Sequence, residues 1–510
     1  MGLKKYFAVI PGLILLIYLL SLILKQFDLS AATIFDGLVS QNKYTNGPQC
    51  KFKKSGGQPK PYCGDLVTMA AVNIREARLQ TVTTKIRFPW AFEFISEKKI
   101  LLTEFGGQVK IIDVDDGSVV NVEGAPDLIS GKGHLGLLDV ALDPDFDDNH
   151  LVYFSYTTRK KDQQELYALA VARAELAGNK LLDIREIFVA LPFYHTAANF
   201  GGALLFDNQG YLLVGSGDRG DSPDKAQDPG DLRGKIIRLG SDGSIPPSNP
   251  FYQNKKYHPA VYALGVRNPQ GMARDPENGV IYETEHGPMG GDEVNVLEAG
   301  KNYGWPTVTY GMNYDYKKIG VGTSARGLKQ PIYYYLPSMA TSPVEVYRGR
   351  MFSEWDGDLL VGALRGTPIS KLDVVNGRVL SDSRILNEAG ARVRDIKVAR
   401  DGSIYFALEE GKLYRLSRDN DSVVTPDAAG NRNGEQVYAL FCRSCHGVAT
   451  PGIPKLGSKP DWEKRATKGR KQLYENAING FNGMPERGLC SDCSDKEIRD
   501  AVDYMLATLR

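Results

Sequence analysis

The sequence predicts an all-β six-bladed β-propeller followed by a small all-α domain, with a transmembrane helix at the N-terminus. Three observations predict this. A pattern of two β-type runs joined by a turn occurs six times between about residues 92 and 416. A Cys-x-x-Cys-His motif and helix-type apolar spacing lie near the C-terminus, and an uncharged apolar stretch follows the first few residues.

Length and composition agree with this division. A chain of 510 residues is longer than one hydrophobic core usually serves, so at least two folded units are expected. The 54 glycines, 27 prolines, 26 tyrosines and 19 phenylalanines favour a turn-rich β protein. A net charge of +1 offers no basic field for nucleic acid, which excludes a nucleic-acid partner.

The N-terminus predicts a membrane anchor over residues 1–25. Lys4 and Lys5 precede the uncharged stretch from Phe7 to Leu24, whose length would nearly span a bilayer as a helix. The positive-inside rule puts the rest of the chain on the periplasmic side of the bacterial inner membrane, as a single-pass protein. A signal peptide cleaved near Ser30-Ala31-Ala32 is the alternative. Residues 26–75 are interpreted as a spacer.

The six repeats predict the propeller, over residues 76–416. Each copy has the size of a four-stranded blade with loops of different length, and a closed ring of blades leaves no exposed sheet edge. A β-sandwich is the alternative architecture, but six copies of one unit would be an unusual way to build one. The copies are AFEFISEKKILLTEF, VALDPDFDDNHLVYFSY, ALLFDNQGYLLVGSGD, GMARDPENGVIYETE, VYRGRMFSEWDGDLLVGAL and IKVARDGSIYFALEEGKLYRL.

A linker at 417–431 leads to a domain over residues 432–510 that has the motif of a c-type cytochrome. Cys442 and Cys445 can bond to the haem vinyl groups, and His446 is then the proximal iron ligand. Met484, in a polar loop, is the predicted second ligand, so the haem c transfers electrons and has no open coordination site. Helices are predicted from near Gly434, from Trp462 to Ile478, and from a capping box of Ser494 with Glu497.

The remaining cysteines are candidates for disulfides in an oxidising compartment. Cys50 could pair with Cys63, and Cys490 with Cys493, with free thiols as the alternative. The segment GMPERGLCSDCSDKEI resembles the small bacterial class I cytochromes that carry a Cys-x-x-Cys disulfide after the methionine loop, and the resemblance covers the whole domain.

Residues 80–416 resemble the soluble quinoprotein sugar dehydrogenases, the family of PQQ-dependent glucose and aldose-sugar dehydrogenases. The segments that carry the resemblance are, in order, GLLDVALDPDF, LGVRNPQGMA, ETEHGPMGGDEVN and KNYGWP. It implies PQQ and Ca²⁺ as cofactors, and a sugar, alcohol or aldehyde as the small-molecule substrate. PQQ is a tricarboxylate quinone, so its site needs fixed cations and a metal.

The resemblance assigns residues to that site. Arg267 and Asn268 match the pair at the reactive carbonyls, and Arg365 falls where the family has a lysine. Arg392 and Arg394 match the two arginines that bind the cofactor's carboxylates. The backbone carbonyls of Gly287 and Pro288 match the ligands of the Ca²⁺.

One departure concerns catalysis. Where the family has the histidine that removes the substrate's hydroxyl proton, this chain has Asn199, whose amide is no base near neutral pH. His195 and His134 are the candidate substitutes, while His286 is expected to have a positional role. Glu285, Asp292 and Glu293 are expected to order the same turn or the calcium, or to form ordinary salt bridges.

The sequence therefore predicts a membrane-anchored periplasmic PQQ-dependent dehydrogenase that passes electrons through its haem to an acceptor of the respiratory chain. The alternative is a propeller that binds a ligand without oxidising it, fused to an electron-transfer cytochrome. A third hypothesis, a lactonase-like hydrolase, lacks the expected set of calcium ligands at the propeller axis.

Overall fold

The computed structural model describes residues 51–53, 60–62, 77–126, 131, 133–365, 369–386, 392–418, 433–442, 446, 453–481, 484–490 and 493–509. The predicted anchor at 1–25 lies outside these residues, as do most of the spacer and the linker. Of the spacer, two short paired strands are described, Lys51–Lys53 and Lys60–Tyr62. Among the residues described, no helix combines the length and the apolar character that a membrane crossing requires.

Six four-stranded antiparallel sheets form the propeller and confirm the predicted architecture. The first three blades follow in chain order. Blade 1 consists of Pro89–Ser96, Lys99–Glu104, Val109–Asp113 and Val119–Val122. Blade 2 consists of Leu137–Leu142, Leu151–Lys160, Gln163–Ala177 and Lys180–Tyr194. Blade 3 consists of Gly201–Phe206, Leu212–Ser216, Lys235–Leu239 and Val261–Leu264.

The other three blades follow the same plan. Blade 4 consists of Pro269–Arg274, Ile281–Glu285, Asp292–Val296 and Tyr333–Tyr335. Blade 5 consists of Thr341–Val346, Leu359–Ala363, Ile369–Val375 and Arg378–Ile385. Blade 6 consists of Val393–Val398, Ile404–Leu408, Lys412–Arg418 and Ala77–Thr83. Short helical turns at Phe146–Asn149, Pro223–Gln227 and Ser353–Trp355 lie in loops.

The first strand of the propeller closes the ring. Ala77–Thr83 pairs antiparallel with Lys412–Arg418, with Leu79 opposite Leu416, and so becomes the outer strand of blade 6. The two ends of the propeller sequence are thereby joined by main-chain hydrogen bonds, and the edge of Lys412–Arg418 is paired.

The core lies between neighbouring sheets, against their first and second strands. Leu212–Ser216, Leu359–Ala363 and Ile404–Leu408 are buried along their whole length, as expected for strands covered on both faces. Aromatic rings fill the wedge between blades, for example Tyr153 of blade 2 against Phe206 of blade 3, with ring centroids 5.0 Å apart.

Buried hydroxyl groups join successive blades. In four cases a hydroxyl donates to a carbonyl on the first strand of the next blade, which satisfies a polar group that the packing would otherwise leave unpaired. The bonds are Thr103 to Leu138 (2.7 Å), Ser155 to Gly202 (2.6 Å), Thr284 to Ser342 (2.8 Å) and Ser342 to Val393 (2.5 Å). The carboxylate of Asp395 accepts from the backbone N–H of Phe92 at 2.7 Å and makes the same kind of link from blade 6 to blade 1.

The C-terminal domain is helical, as predicted. Its elements are Gly434–Val437, a π-type turn at Tyr438–Cys442, Lys459–Ala466, Gly469–Asn479, a 3₁₀ turn at Glu486–Leu489, and Asp495–Ala507. The single helix predicted from Trp462 to Ile478 is wrong. Gly469 has φ +79°, which an α-helix does not contain, so two helices meet there.

The last helix and the disulfide confirm two predictions. The hydroxyl of Ser494 accepts from the N–H of Glu497, whose carboxylate accepts from the N–H of Ser494 at 2.6 Å, which completes the capping box. Cys490 and Cys493 form a disulfide. Cys50 and Cys63 lie outside the described residues.

Substitution of Thr103 by valine is expected to destabilise the propeller by about 1–3 kcal/mol, because it leaves the buried carbonyl of Leu138 and the N–H of Ala91 without partners. Thr81→Val, on an exposed position of the closing strand, is the control and should change stability by less than about 0.5 kcal/mol. Urea unfolding measures both, and equal effects for the two variants would contradict the assigned role of the inter-blade bonds.

Candidate functional site

The ends of the strands bring the predicted site residues to one mouth of the ring. The first strands of the blades begin at this mouth, and the second strands end there, because neighbouring strands are antiparallel. Arg267 and Asn268 precede the first strand of blade 4, and Asn199 precedes that of blade 3. The turn at Gly287 follows the second strand of blade 4.

Arg392 and Arg394 form a paired cationic group at this mouth. Both Nε atoms donate to Oε2 of Glu409, at 2.7 and 2.8 Å, so the two side chains reach one carboxylate from the same strand face. The Arg394 guanidinium is buried 4.3 Å from the ring centroid of Trp90, whereas the Arg392 side chain is half exposed. Burial lowers the pKa of Arg394 to about 10, which leaves it charged at neutral pH.

Arg365 lies at the adjoining loop of blade 5 and is exposed. Its backbone N–H donates to the carbonyl of Met339 at 3.0 Å. The preceding residue, Leu364, accepts a hydrogen bond from Nη1 of Arg392 at 3.1 Å. The loop that carries Arg365 is thus attached to the arginine pair, and its side chain is available to a bound anion.

Arg267 and Asn268 are buried against the His286 turn. Nη1 of Arg267 donates to the carbonyls of His286 (2.8 Å) and Gly287 (3.3 Å). The side-chain Oδ1 of Asn268 accepts from the backbone N–H of Gly201 at 3.0 Å, and its Nδ2 lies 3.4 Å from Nδ1 of His286. Arg267 therefore touches one of the two carbonyls predicted to hold calcium, and Gly287 and Pro288 are both buried.

Asp292 holds this turn in shape. Its carboxylate accepts from the N–H of Gly287 and the hydroxyl of Ser338, each at 2.8 Å. Burial raises the pKa of Asp292 to about 6. The structure thus gives Asp292 the turn-ordering contacts that the sequence suggested.

Three buried glutamates lie beside the turn. Glu283 and Glu293 both accept from the amide of Asn295, at 3.1 and 3.4 Å, and Glu285 accepts from the N–H of Arg267. Burial raises the pKa of Glu285 to about 7, and burial together with the neighbouring Glu285 raises those of Glu283 and Glu293. Among the described residues, Oε1 of Glu283 and Oδ1 of Asn295 are buried without a hydrogen-bond partner.

A narrow cavity connects these groups. Its walls include Arg267, Glu285, Gly287, Glu293 and Trp305. Carboxylate and carbonyl oxygens in one cavity are the ligand types that Ca²⁺ prefers.

Asn199, predicted from the resemblance to stand in place of a proton-accepting histidine, is fixed by its neighbours. Its backbone is left-handed, with φ +47°, a conformation that asparagine tolerates better than most residues. Its Nδ2 donates to Oδ1 of Asp218 at 2.9 Å, and Oδ2 of Asp218 accepts from the Trp305 indole at 2.8 Å. This network holds the Asn199 amide in one orientation. An amide has no basic character near neutral pH.

His134 lies directly against Asn199. Its Nδ1 accepts from the backbone N–H of Asn199 at 3.0 Å. Burial, and then the charges of Arg394, Arg267 and Arg392, lower the pKa of His134 to about 4. The charges of arginines from two different blades therefore act on one neutral imidazole.

His195 stands at the rim. It begins the loop that leads from the outer strand of blade 2 to Asn199, and its side chain is 61% exposed. Its Nε2 lies 3.1 Å from Oδ2 of Asp221, and its ring packs on Tyr194. His286, by contrast, is enclosed: burial lowers its pKa to about 3, and its Nε2 has no partner among the described residues.

The cytochrome domain presents the predicted proximal ligand in a suitable form. Nδ1 of His446 donates to the carbonyl of Pro454 at 2.8 Å, which leaves the Nε2 lone pair for iron. Cys442 is a buried thiol, whereas Cys445 lies outside the described residues. Met484 is held in a turn by reciprocal 3.0 Å backbone bonds with Phe481. These residues fit a covalently attached haem.

Several site residues were not found from the sequence. Glu409, Asp218 and Trp305 act through contacts between distant segments, which a single sequence does not reveal. Glu283 could have been identified from the sequence. It alternates with Glu285 along a strand that is otherwise apolar enough to be buried, and charged residues on a buried strand indicate a functional site.

Comparisons with known proteins agree with this geometry. A family model described as Glucose / Sorbosone dehydrogenase matches residues 86–415, and one described as Cytochrome C oxidase, cbb3-type, subunit III matches residues 429–505. The aldose sugar dehydrogenase YliI of Escherichia coli (strain K12) is 35% identical over 356 residues, which cover 69% of this chain and 94% of that protein.

Two further relatives cover the two parts of the chain. A crystal structure of the soluble aldose sugar dehydrogenase from Escherichia coli in the apo-form has a TM-score of 0.64 at 34% identity, covering 67% of this chain and 99% of that one. Cytochrome c5 of Ectopseudomonas mendocina is 40% identical over 78 residues, 15% of this chain and 90% of that protein. The predicted sugar dehydrogenase is confirmed: the chain belongs to the glucose/sorbosone dehydrogenase family and carries a cytochrome c domain at its C-terminus.

Proposed function

We propose that this protein oxidises an aldose sugar, or a related alcohol or aldehyde, with PQQ as the hydride acceptor, and passes the electrons through its own haem c. The observation that carries the proposal is a set of fixed cations at one mouth of the propeller: Arg392 and Arg394 share the carboxylate of Glu409, and Arg267 is held against the His286 turn. PQQ supplies the quinone that accepts a hydride, and the protein supplies binding, orientation and charge.

The residues at the mouth fit this cofactor. Arg392 and Arg394 would hold its carboxylates, with Arg365 beside them on an exposed loop. Arg267 and Asn268 would face the reactive carbonyls, where positive charge favours the arriving hydride. The buried Nε2 of His286 has no partner in the described structure, as expected of a group that meets a ligand.

Ca²⁺ would bind at the His286 turn. The carbonyls of Gly287 and Pro288 are the proposed ligands, and Glu285 and Glu293 line the same cavity as Gly287. A divalent cation would compensate the buried carboxylates, whose charges are otherwise costly to bury.

The cytochrome domain would carry the electrons away one at a time. His446 and Met484 as axial ligands, with Cys442 and Cys445 as the covalent attachments, give a haem with no open position, which suits electron transfer to an acceptor of the respiratory chain. An anchor at residues 1–25 would keep the enzyme on the periplasmic side of the inner membrane, next to that chain.

A ligand-binding propeller without catalysis is the second candidate, and the Asn199 side chain favours it, because this residue cannot accept the substrate's proton. The retained arginines favour the enzyme.

The absorption of the haem tests which candidate is right. Anaerobic full-length protein with PQQ and Ca²⁺ is mixed with a panel of aldoses, alcohols and aldehydes, and the haem α-band is recorded. Reduction of the haem by at least one aldose is expected. Bound quinone without haem reduction by any of the compounds would favour the second candidate.

Arg392→Ala and Arg394→Ala should each weaken PQQ binding by about tenfold to a hundredfold, the value of a hydrogen bond to a charged group. Arg400→Ala is the matched control, because that guanidinium is 85% exposed and pairs with Glu97 on the surface. Absorbance titration with PQQ measures the affinity. Unchanged affinity in both site variants would argue against the arginine pair as the carboxylate site.

Met484→Ala should remove the absorption band of sulfur-ligated ferric haem and lower the reduction potential. Sugar should still reduce the bound PQQ, while electron transfer to the haem becomes slower. Met312→Ala, at an exposed propeller position, is the control. An unaltered spectrum in the Met484 variant would assign the second axial position to another residue.

The buried glutamates should make stability depend on pH and calcium. The pKa of Glu285 is about 7 in the folded protein against about 4.3 in the unfolded chain, so its favourable contribution is present below about pH 4.3 and is lost as the pH rises through 7. We therefore expect the Tm of chelator-treated protein to fall over that range and Ca²⁺ to restore it at about pH 8.

Glu283→Gln should flatten this pH dependence, because it removes one of the coupled buried carboxyl groups. Glu97→Gln, on the surface, should leave it unchanged. Differential scanning calorimetry with and without Ca²⁺ gives the comparison, and a Tm indifferent to Ca²⁺ at alkaline pH would count against a calcium site here.

A further inference from the structure

His134 and His195, the two candidate bases, differ in whether the lone pair of Nδ1 is free to accept a proton. The backbone N–H of Asn199 donates to Nδ1 of His134, so that lone pair is already engaged. In a neutral ring the proton then resides on Nε2. Nε2 of His134 is therefore a hydrogen-bond donor with no lone pair to offer a substrate hydroxyl, and burial together with the arginine charges keeps the ring neutral.

The nearest carboxylate to position 199 is held in a structural network. Asp218 accepts on Oδ1 from the Asn199 amide (2.9 Å) and the N–H of Gly220 (2.8 Å), and on Oδ2 from Trp305 (2.8 Å). These three bonds stabilise its charged form and make it a poorer base than a free carboxylate. A histidine with a free ring nitrogen is the better candidate for the hydroxyl proton.

His195 has the same tautomer as His134, but its contact with a carboxylate is on Nε2, not on Nδ1. A carboxylate can only accept, so the 3.1 Å contact with Asp221 places the proton on Nε2 and leaves the lone pair of Nδ1 for another proton. General-base histidines have this arrangement: a carboxylate orients one ring nitrogen, and the other ring nitrogen accepts the proton.

His195 also lies next to the site. The loop that carries Asp221 is bonded to Asn199: Nη1 of Arg219 donates to the Asn199 carbonyl at 3.0 Å, and Oδ1 of Asp218 accepts from both the Asn199 amide and the N–H of Gly220. The hydroxyl of Thr196 donates to the carbonyl of Arg219 at 2.7 Å, which joins the two loops. With 61% of its side chain exposed, His195 can be reached by a sugar that enters from solvent.

We propose that His195, oriented by Asp221, is the proton acceptor of the reaction, and that His134 is a fixed hydrogen-bond donor toward an oxygen of the quinone. This rests on the proposed dehydrogenase function. The substrate's O–H proton passes to Nδ1 of His195 as the C–H hydrogen leaves with its electron pair for PQQ, and a C=O bond forms. PQQ is reduced by two electrons, and the imidazolium returns its proton to water.

Glutamine substitutions distinguish the two roles, because a glutamine amide donates a hydrogen bond but is not a base. His195→Gln should lower kcat about 10²–10⁴-fold, with PQQ affinity unchanged. His134→Gln should keep kcat within about tenfold of wild type. Asp221→Asn should lower kcat with PQQ affinity unchanged, because an amide no longer fixes the proton on Nε2 of His195.

The groups that face His195 are Asp221 on the next loop, the Tyr194 ring with its centroid 4.4 Å away, and the Arg233 guanidinium 4.4 Å from that ring. His150→Asn, at an exposed left-handed position in blade 2, is the control and should leave kcat unchanged.

Nitrogen-15 NMR of selectively labelled histidine, assigned with the same variants, reads the tautomers without turnover. A proton on Nε2 is expected in both rings. A proton on Nδ1 of His134, or loss of activity in His134→Gln but not in His195→Gln, would overturn the inference while the dehydrogenase function stands. Wild-type protein that binds PQQ and is reduced by no sugar would instead overturn the proposed function.

Discussion

Closure of the ring is the constraint on which the site depends. The N-terminal strand Ala77–Thr83 completes blade 6, and buried hydroxyls and Asp395 join neighbouring blades, so the starts of the inner strands are held in one plane. Arg267 and Arg392 lie far apart in the sequence and belong to different blades. Only a closed propeller brings both guanidinium groups close enough to act on His134.

Electrostatics at the mouth then determines which groups are charged. The arginines and burial keep His134 and His286 neutral, and Glu409 shares its carboxylate between Arg392 and Arg394. On the other side of Arg267, burial holds the glutamates partly protonated. Neutral imidazoles, fixed cations and buried carboxyl groups at one mouth are the features that the proposed binding of a tricarboxylate and a divalent cation would use.

The sequence was sufficient for features encoded locally. Six repeats predicted six blades, the Cys-x-x-Cys-His motif predicted a cytochrome c domain, and Ser494 with Glu497 predicted a capping box. Features that depend on distant contacts were not predictable. The partner of Ala77–Thr83 is more than 300 residues away, and Asp218 and Glu409 bear no motif. Gly469 was overlooked because apolar spacing continues across the break between the two helices.

A crystal structure of the protein with PQQ and Ca²⁺ would test the central claim most directly. The account predicts that the cofactor's carboxylates lie on Arg392 and Arg394, its quinone oxygens next to Arg267 and Nε2 of His134, and the metal on the carbonyls of Gly287 and Pro288. Quinone bound at another part of the propeller, or a mouth without density for it at saturating concentration, would contradict the account.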